Sequence, residues 1–559
     1  MSRTAMTSQG GVNTVMDRNE ARQEEQRATR RWGWPMLLVC VLLLAHVGLA
    51  WVARPTHIRT GQDDAWYLLL GRSLRQFRYV DLYVVGEPIH QLYPPGYPAV
   101  LGFLGALFGE NLQWISVLGV LFSVTTVGLV FLGCRRIMDE RVALAVTAAL
   151  AFNAELLARA GAVMSEPLFM LLAVASVFLL QEPTSNGKRA AAGVLAIAAA
   201  LTRTIGVTLI IGLGIYWLVQ RRWRACALLA LGSIATIGLW IWWTAVAPDQ
   251  FIGKSYIADA TFVRKAPSVP LAITIRSLRS TLFYLSDAIP TGLAFPTIQG
   301  TPLDNLVSIS ILTLGLTVGL VAILRRWPAA GLFLTCYAGL LLIWPWRLLR
   351  YVAPMLPLII PTVLLGLFLV ARRVNPKRAW ILPCAIALVL ATTGFLKSVH
   401  RIREAGPCDR STRMPQGACI SADQASFFAA LRYIEDRLPD DAVIATAKAA
   451  PLYFYTGHKT PPVGAVMAQS AESLLPFLRE SGTSYILLAR LHSLEASSLL
   501  PAVTANCNAF ELIQEFPPSV YLLRFVEPGS EPIGTGACAA VKRYQTIWPP
   551  DRPDEPADR

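Results

Sequence analysis

Long apolar stretches recur along this chain, and they restrict its folding more than any other feature. About 20 apolar residues in a helix cross the ~30 Å hydrocarbon core of a bilayer. Inside lipid every backbone polar group must be paired within the structure, so many such stretches imply a helical bundle. Candidate spans fall near residues 35–53, 112–133, 142–157, 164–181, 189–202, 205–220, 225–247, 303–324, 328–345, 352–371 and 379–396. The pieces 142–157 and 189–202 are short for a full crossing, so they are expected to be tilted or broken. Composition agrees: 54% of the 559 residues are hydrophobic and 15% charged, which excludes an ordinary soluble protein.

Loop charge orients the bundle, because Lys and Arg are retained on the cytoplasmic side. Every second loop is basic: Arg135, Arg136 and Arg141; Lys188 and Arg189; Arg221, Arg222 and Arg224; Arg325 and Arg326; Arg372, Arg373, Lys377 and Arg378. With the N-terminus inside, all of these are cytoplasmic. The formal net charge of +14 is thereby a topology signal and gives no support to nucleic-acid binding. Residues 1–34 read as a disordered cytoplasmic tail. No small-residue cleavage site follows the first apolar run, so that run is expected to be an uncleaved anchor. Residues 35–396 form the membrane domain, with a long outer loop at 54–111, and residues 397–559 an extracytoplasmic domain.

The outer domain is expected to be small and α/β. Residues 423–437 carry Phe427, Phe428, Leu431 and Ile434 at helical spacing. Val443-Ile444-Ala445 and Tyr485-Ile486-Leu487-Leu488 read as buried strands, 468–480 as a helix, and Phe510 to Phe525 as two strands around Pro517-Pro518. Cys40, Cys134, Cys226, Cys336 and Cys384 lie in or beside spans and read as packing residues. Cys408, Cys419, Cys507 and Cys538 lie in the outer domain, where two disulfides are expected. Four cysteines allow three pairings; proximity favours Cys408–Cys419 and Cys507–Cys538. No CxxC, HxxxH or glycine-rich phosphate loop occurs, so neither a metal nor another cofactor is expected.

The residues that can carry chemistry gather at outer span ends. Asp63 and Asp64 precede Ala65-Trp66-Tyr67, either as helix-capping acids or as catalytic carboxylates. The stretch 65–79 reads as amphipathic, with Leu69, Leu70, Leu74 and Phe77 towards lipid and Arg72, Arg75 and Arg78 towards headgroups. Tyr93-Pro94-Pro95 stiffens the return of the loop, and the apolar segment 97–109 is too short to span, so it reads as interfacial or re-entrant. Glu166 in Met164-Ser165-Glu166-Pro167 is a dipole-complementing first-turn acid or a second active-site acid. Arg203 and Arg350 run against the positive-inside pattern; they either snorkel to headgroups or clamp phosphate oxygens. Arg347 is a weaker candidate for the same part. His90, before the proline turn, is a surface or a site histidine. His46, inside the first span, reads as a polar packing group.

In this order the motifs resemble the GT-C membrane glycosyltransferases, and most of all the glycosyltransferase 39-like group of protein O-mannosyltransferases and aminoarabinose transferases. The resemblance rests on Asp63-Asp64…Tyr67, Tyr93-Pro94-Pro95, Met164-Ser165-Glu166-Pro167-Leu168-Phe169, Arg203-Thr204 and Arg350-Tyr351…Pro354…Pro357. It implies a polytopic helical membrane enzyme with about eleven transmembrane helices and a C-terminal extracytoplasmic α/β domain. Such an enzyme moves a sugar from a polyprenyl-phosphate donor, at the outer face of the cell membrane, to an acceptor lipid, protein or glycan. It also implies Asp63, Asp64 and Glu166 as catalytic residues and Tyr67, His90, Tyr93, Arg203 and Arg350 as substrate-binding ones. Members of the aminoarabinose branch commonly carry a lysine before the Pro-Pro turn; Gln91, Leu92 and Tyr93 stand here instead, which weakens the link to that branch. A lipid-linked sugar flippase and a non-enzymatic envelope assembly protein are the alternatives. A transporter would favour midplane charges and repeated halves, and neither is evident.

Overall fold

A computed structural model describes residues 33–55, 57–58, 60–61, 63–181, 185–246, 269–296, 305–344, 346–404, 414–417, 419–491, 495–526 and 536–547. The first helix, α1, is Gly33–Val52. The stretch after it contains two short helices, α2 Asp63–Arg75 and α3 Gly96–Phe108. The bundle resumes with α4 Leu112–Cys134, α5 Glu140–Ala151, α6 Ala154–Ala160, α7 Glu166–Leu179, α8 Asn186–Thr202 and α9 Val207–Val219. Next come α10 Trp223–Ser233, continuing through a π turn into α11 Leu239–Val246, and α12 Val269–Phe283. The bundle closes with α13 Leu306–Arg326, α14 Pro328–Ile343, α15 Leu356–Val374 and α16 Ile381–Glu404.

All eleven apolar windows of the sequence coincide with helices, but not all are equal. Among the described residues six helices are long and apolar enough to cross a membrane, seven if the α5–α6 pair counts as one span. Helices α3, α7, α9 and α14 are shorter. The expected break in 142–157 is present: α5 and α6 meet at 55°. Its cause is Asn153, whose side-chain oxygen accepts from the Glu155 and Leu156 N–H groups and so starts a new helix. The Asn153 amide also donates to the Gly292 carbonyl at 2.8 Å, tying the bend to the chain beyond α12. The piece 189–202, by contrast, is one continuous helix, α8. Helix α12 was not foreseen; its stretch reads in sequence as a solvated basic loop. The basic residues of that stretch, read as a solvated face, are Lys254, Arg264, Lys265, Arg276 and Arg279, of which the first three lie outside the described residues.

Helix α15 is the axis of the bundle, with Leu356 to Leu367 buried throughout. It crosses α13 at van der Waals distance because glycines face each other: a Cβ on Gly319 would lie 1.8 Å from the Thr362 carbonyl oxygen. His46 behaves as a packing group. Its ring nitrogens meet the Ala151 carbonyl at 2.8 Å and the Ser123 hydroxyl at 2.9 Å.

The outer loop did not fold as the amphipathic pattern implied. Leu69 and Leu70 are fully buried against protein, and Arg72 and Arg75 pair with Glu110 next to the end of α3. Hydropathy marks a face as apolar without saying whether lipid or protein covers it. Here Gly71 and Gly102 let α2 and α3 approach closely, so α2 turns its apolar face inward. Phe77 alone of the four is exposed, while Phe103, Leu107 and Phe108 of α3 form an exposed apolar face.

The C-terminal region has a four-stranded sheet in the order β1-β2-β4-β3, comprising β1 Val443–Ala445, β2 Thr483–Ala489, β3 Phe510–Phe516 and β4 Val520–Phe525. The first two strands are parallel and the rest antiparallel. Alternating residues of β2 and β4 serve two cores. Leu487, Ala489, Val520 and Leu522 face the helix Ala422–Arg437, and Ile486, Leu488, Tyr521 and Leu523 face the helices Leu474–Glu480, Leu500–Ala505 and Gly536–Ile547. The predicted helix 468–480 forms only in its second half. Cys507 and Cys538 are bonded, with Cα atoms 4.9 Å apart. Cys419 is disulfide-bonded as well; Cys408, its expected partner, lies outside the described residues.

This region is built onto the outer loop. Ile58, Ala65, Tyr67, Leu68, Tyr83 and Val84 share one core with Phe427, Phe428, Leu431 and Tyr455. Backbone bonds add to it: Val85 N–H donates to Thr460 O, and Thr460 N–H to Tyr83 O, both at 2.9 Å.

Candidate active site

Four segments far apart in sequence converge at the N-terminus of α2. Asp63 and Asp64 open that helix, where the dipole favours negative charge. Glu166 opens α7, with Pro167 at a first-turn position that lacks no needed donor. Arg203 ends α8 in an extended conformation, and Arg350 lies in a 3-10 turn, Leu349–Tyr351, before α15.

These groups form one chain of opposite charges. Arg350 Nη2 donates to Asp63 Oδ2 at 2.5 Å and lies 3.7 Å from Glu166 Oε1. Arg203 Nη1 lies 2.8 Å from Glu166 Oε1 and donates to Ser165 Oγ at 3.0 Å. Tyr93 OH donates to Asp63 Oδ1 at 2.8 Å, and the Tyr67 hydroxyl bonds Ser165 Oγ at 3.0 Å. Burial pushes the Tyr67 phenol well above its ordinary range, so it stays protonated.

The rings of this loop are held by one another. Tyr67 packs on Tyr93 at 4.8 Å between centroids and edge-on to Tyr97 at 5.0 Å. His90 stacks on Tyr93 at 5.6 Å. Its Nε2 accepts from the Tyr93 N–H at 2.8 Å, and its Nδ1 meets Asp81 Oδ1 at 2.8 Å. The accepting Nε2 places the proton on Nδ1.

A cavity of about 430 Å³ opens beside this cluster, within the size range of small-ligand sites. Tyr67, Gln91, Tyr93, Pro94, Arg203 and Arg350 make its polar end, and Ile205, Val207, Ile237, Trp240, Ile241, Leu340 and Trp344 its apolar end. The apolar end is contributed partly by the Trp223–Ala245 span, of which only 6% is buried in protein.

The eight candidate residues therefore divide. Tyr67, Tyr93, Arg203 and Arg350 line the cavity. Asp63 touches two of them and keeps 15% of its side chain exposed. Glu166 has no exposed surface and meets the cavity only through the arginines. His90 is buried, does not line the cavity, and braces the turn through both ring nitrogens. Asp64 is buried and does not line the cavity. Arg347 does not line it either. Sequence reasoning passed over Ser165, although it sits inside the motif that drew attention to Glu166. It also passed over the apolar wall, whose signal is the aromatic run Leu239-Trp240-Ile241-Trp242-Trp243 at a span end. No group of three or more His, Cys, Asp or Glu side chains disposed to hold a metal occurs among the described residues.

No protein-family model matches this sequence, and no curated protein matches it. Solved structures do. ArnT from Cupriavidus metallidurans in the apo state aligns at 15% identity and a TM-score of 0.53, over 89% of this chain and 98% of that one. The same protein bound to undecaprenyl phosphate aligns at 16% identity and a TM-score of 0.52, over 90% and 99%. The archaeal oligosaccharyltransferase AglB from Archaeoglobus fulgidus, in complex with an inhibitory peptide and a dolichol-phosphate, aligns at 13% identity and a TM-score of 0.51, over 82% and 69%. At such identities the likeness is one of architecture, and it agrees with the motifs: the chain has the GT-C membrane fold.

Proposed function

We propose that this protein is an integral-membrane glycosyltransferase that moves a sugar from a polyprenyl-phosphate carrier to an acceptor at the outer face of the membrane. The observation that carries this reading is the junction of the two ends of the cavity. Two guanidinium groups and two phenols meet an apolar wall that includes a lipid-exposed span. Such a site fits an anionic head on a hydrocarbon tail. The undecaprenyl phosphate held by a protein of the same fold supports it.

The reaction is an in-line displacement. The acceptor oxygen bonds to the anomeric carbon, the bond from that carbon to the phosphate oxygen breaks, and the acceptor proton passes to a base. Asp63 is the proposed base, being an acid that touches the cavity-lining Arg350 and Tyr93 and keeps part of its side chain exposed. The carrier goes from a phosphodiester to a phosphomonoester, so one negative charge develops on it; Arg203 and Arg350 are placed to stabilise that charge. Their planar forks suit phosphate oxygens. Tyr67 and Tyr93 present ring faces and hydroxyls to the sugar. Glu166 and Ser165 hold Arg203, and His90 holds Tyr93. Attack from the face opposite the phosphate inverts the anomeric centre.

The placement is in the cell membrane, with the N-terminus inside and the site and C-terminal region outside, as loop charge implies. The test is transfer from radiolabelled polyprenyl-phosphate sugars to candidate lipid, protein and glycan acceptors by purified protein. Label moving to an acceptor supports the reading. Label crossing a vesicle membrane without chemistry replaces it with a flippase.

A further inference from the structure

Both cavity-facing arginines are already engaged by carboxylates, and the proposed base is engaged in turn. Asp63 has one oxygen on Arg350 and the other on Tyr93. The two arginines, however, are not held alike. Arg203 has 12% of its side chain exposed and is fixed by both Glu166 and Ser165. Arg350 has 34% exposed. It stands on a single 3-10 turn after the non-helical residues 346–348, a local structure suited to a hinge.

Resting on the glycosyl-transfer reading above, we infer that Arg350 is shared between Asp63 and the donor phosphate. In the empty site it masks the base. When the lipid carrier enters, its phosphate takes the Arg350 fork, and Asp63 is left with the Tyr93 hydroxyl alone. Asp63 Oδ2, released from the guanidinium, is then free to accept the hydrogen bond of the acceptor hydroxyl, so the base is available only when a donor is present. Once Asp63 has taken the acceptor proton it is neutral and no longer competes, and Arg350 stays on the leaving phosphate. When Asp63 returns that proton to solvent, it reclaims Arg350 and helps expel the spent carrier. Acceptor activation is thereby tied to donor occupancy, which makes donor binding the first step.

The inference gives a result opposite to the usual effect of damaging an active site. Asp63→Asn removes the competitor for Arg350, so the full-length protein in nanodiscs should bind undecaprenyl phosphate about tenfold more tightly than wild type, equivalent to about 1.4 kcal/mol. Glu87→Gln removes a carboxylate of the same loop that pairs with Arg78 and Lys459 and should leave affinity unchanged. Arg350→Ala should weaken binding, and Asp63→Asn should bring no gain in that background. Unchanged or weaker binding by Asp63→Asn overturns the inference. So does a gain that persists without Arg350 or is equalled by Glu87→Gln. If neither wild type nor any variant binds the lipid phosphate, the donor reading itself falls.

Discussion

Replacing Glu166 with glutamine keeps the volume of a side chain that has no exposed surface and removes its charge. Arg203 then loses the carboxylate 2.8 Å away. Removing one partner of a buried ion pair costs about 3–5 kcal/mol, because the other charge stays in a poorly polarisable place. Arg203 keeps a little exposure and its bond to Ser165, so Glu166→Gln should sit near the lower end, about 3 kcal/mol. Arg203→Met strands Glu166 with only Arg350, 3.7 Å away, and should cost more, about 4 kcal/mol. Removing both charges leaves nothing uncompensated. The double variant should cost well under the sum, with a coupling energy of about 2–3 kcal/mol. The assay is a double-mutant cycle in unfolding free energy, measured by denaturing-detergent titration in mixed micelles. Single losses below about 0.5 kcal/mol, the range of ordinary surface substitutions, would refute the argument, as would an additive double variant.

Three further outcomes follow from other parts of the molecule. Gly319→Ala should destabilise the bundle by about 1–3 kcal/mol through overpacking against the Thr362 carbonyl, while Gly339→Ala, where a Cβ meets nothing within 4 Å, should be neutral in the same titration. Glu495 is fully buried, and burial pushes its carboxyl up to about 8. Folded protein therefore holds a proton that unfolded protein releases above the ordinary glutamate range. Stability should fall by up to ~1.4 kcal/mol per pH unit between about pH 4.5 and 8. Glu495→Gln should remove that slope, seen as pH-independent opening free energies from the protection factors of the β2 amides, and a slope equal to wild type would contradict the assignment. Reporter fusions at Lys188 and Asp440 should report opposite sides of the membrane; signals from the same side would overturn the orientation.

Much of the architecture was legible because its signals are local. A run such as Leu112–Cys134 declares its own span, and the unbroken apolar run Tyr485–Leu488 declares a strand buried on two faces. The break near residue 152 was legible as a length too short for a crossing, although only the capping bonds of Asn153 explain its angle. The site was legible as residue types and illegible as pairings. Nothing local announces that Asp63 meets Arg350 across 287 residues, or that Glu166 is sealed behind Arg203. The inward face of α2 was misread for a related reason: Leu69 and Leu70 are equally apolar against lipid or protein, and the choice depends on a glycine contact with α3. His90 is the converse case. One histidine before a proline turn suggests substrate contact as readily as support, and its bonds to Asp81 and the Tyr93 amide could not be read from the sequence.

The central claim is that a carboxylate at the head of α2 serves as base in sugar transfer from a lipid phosphate. Turnover of one polyprenyl-phosphate sugar by wild type and Asp63→Asn, at matched amounts of folded protein, tests it most directly. Asparagine preserves the shape and can still cap the helix but cannot accept the proton. The account predicts measurable transfer by wild type and a loss of roughly 100- to 10,000-fold in the variant, with lipid-phosphate binding retained. Near-wild-type turnover by Asp63→Asn would show that Asp63 is not the base and would contradict the account.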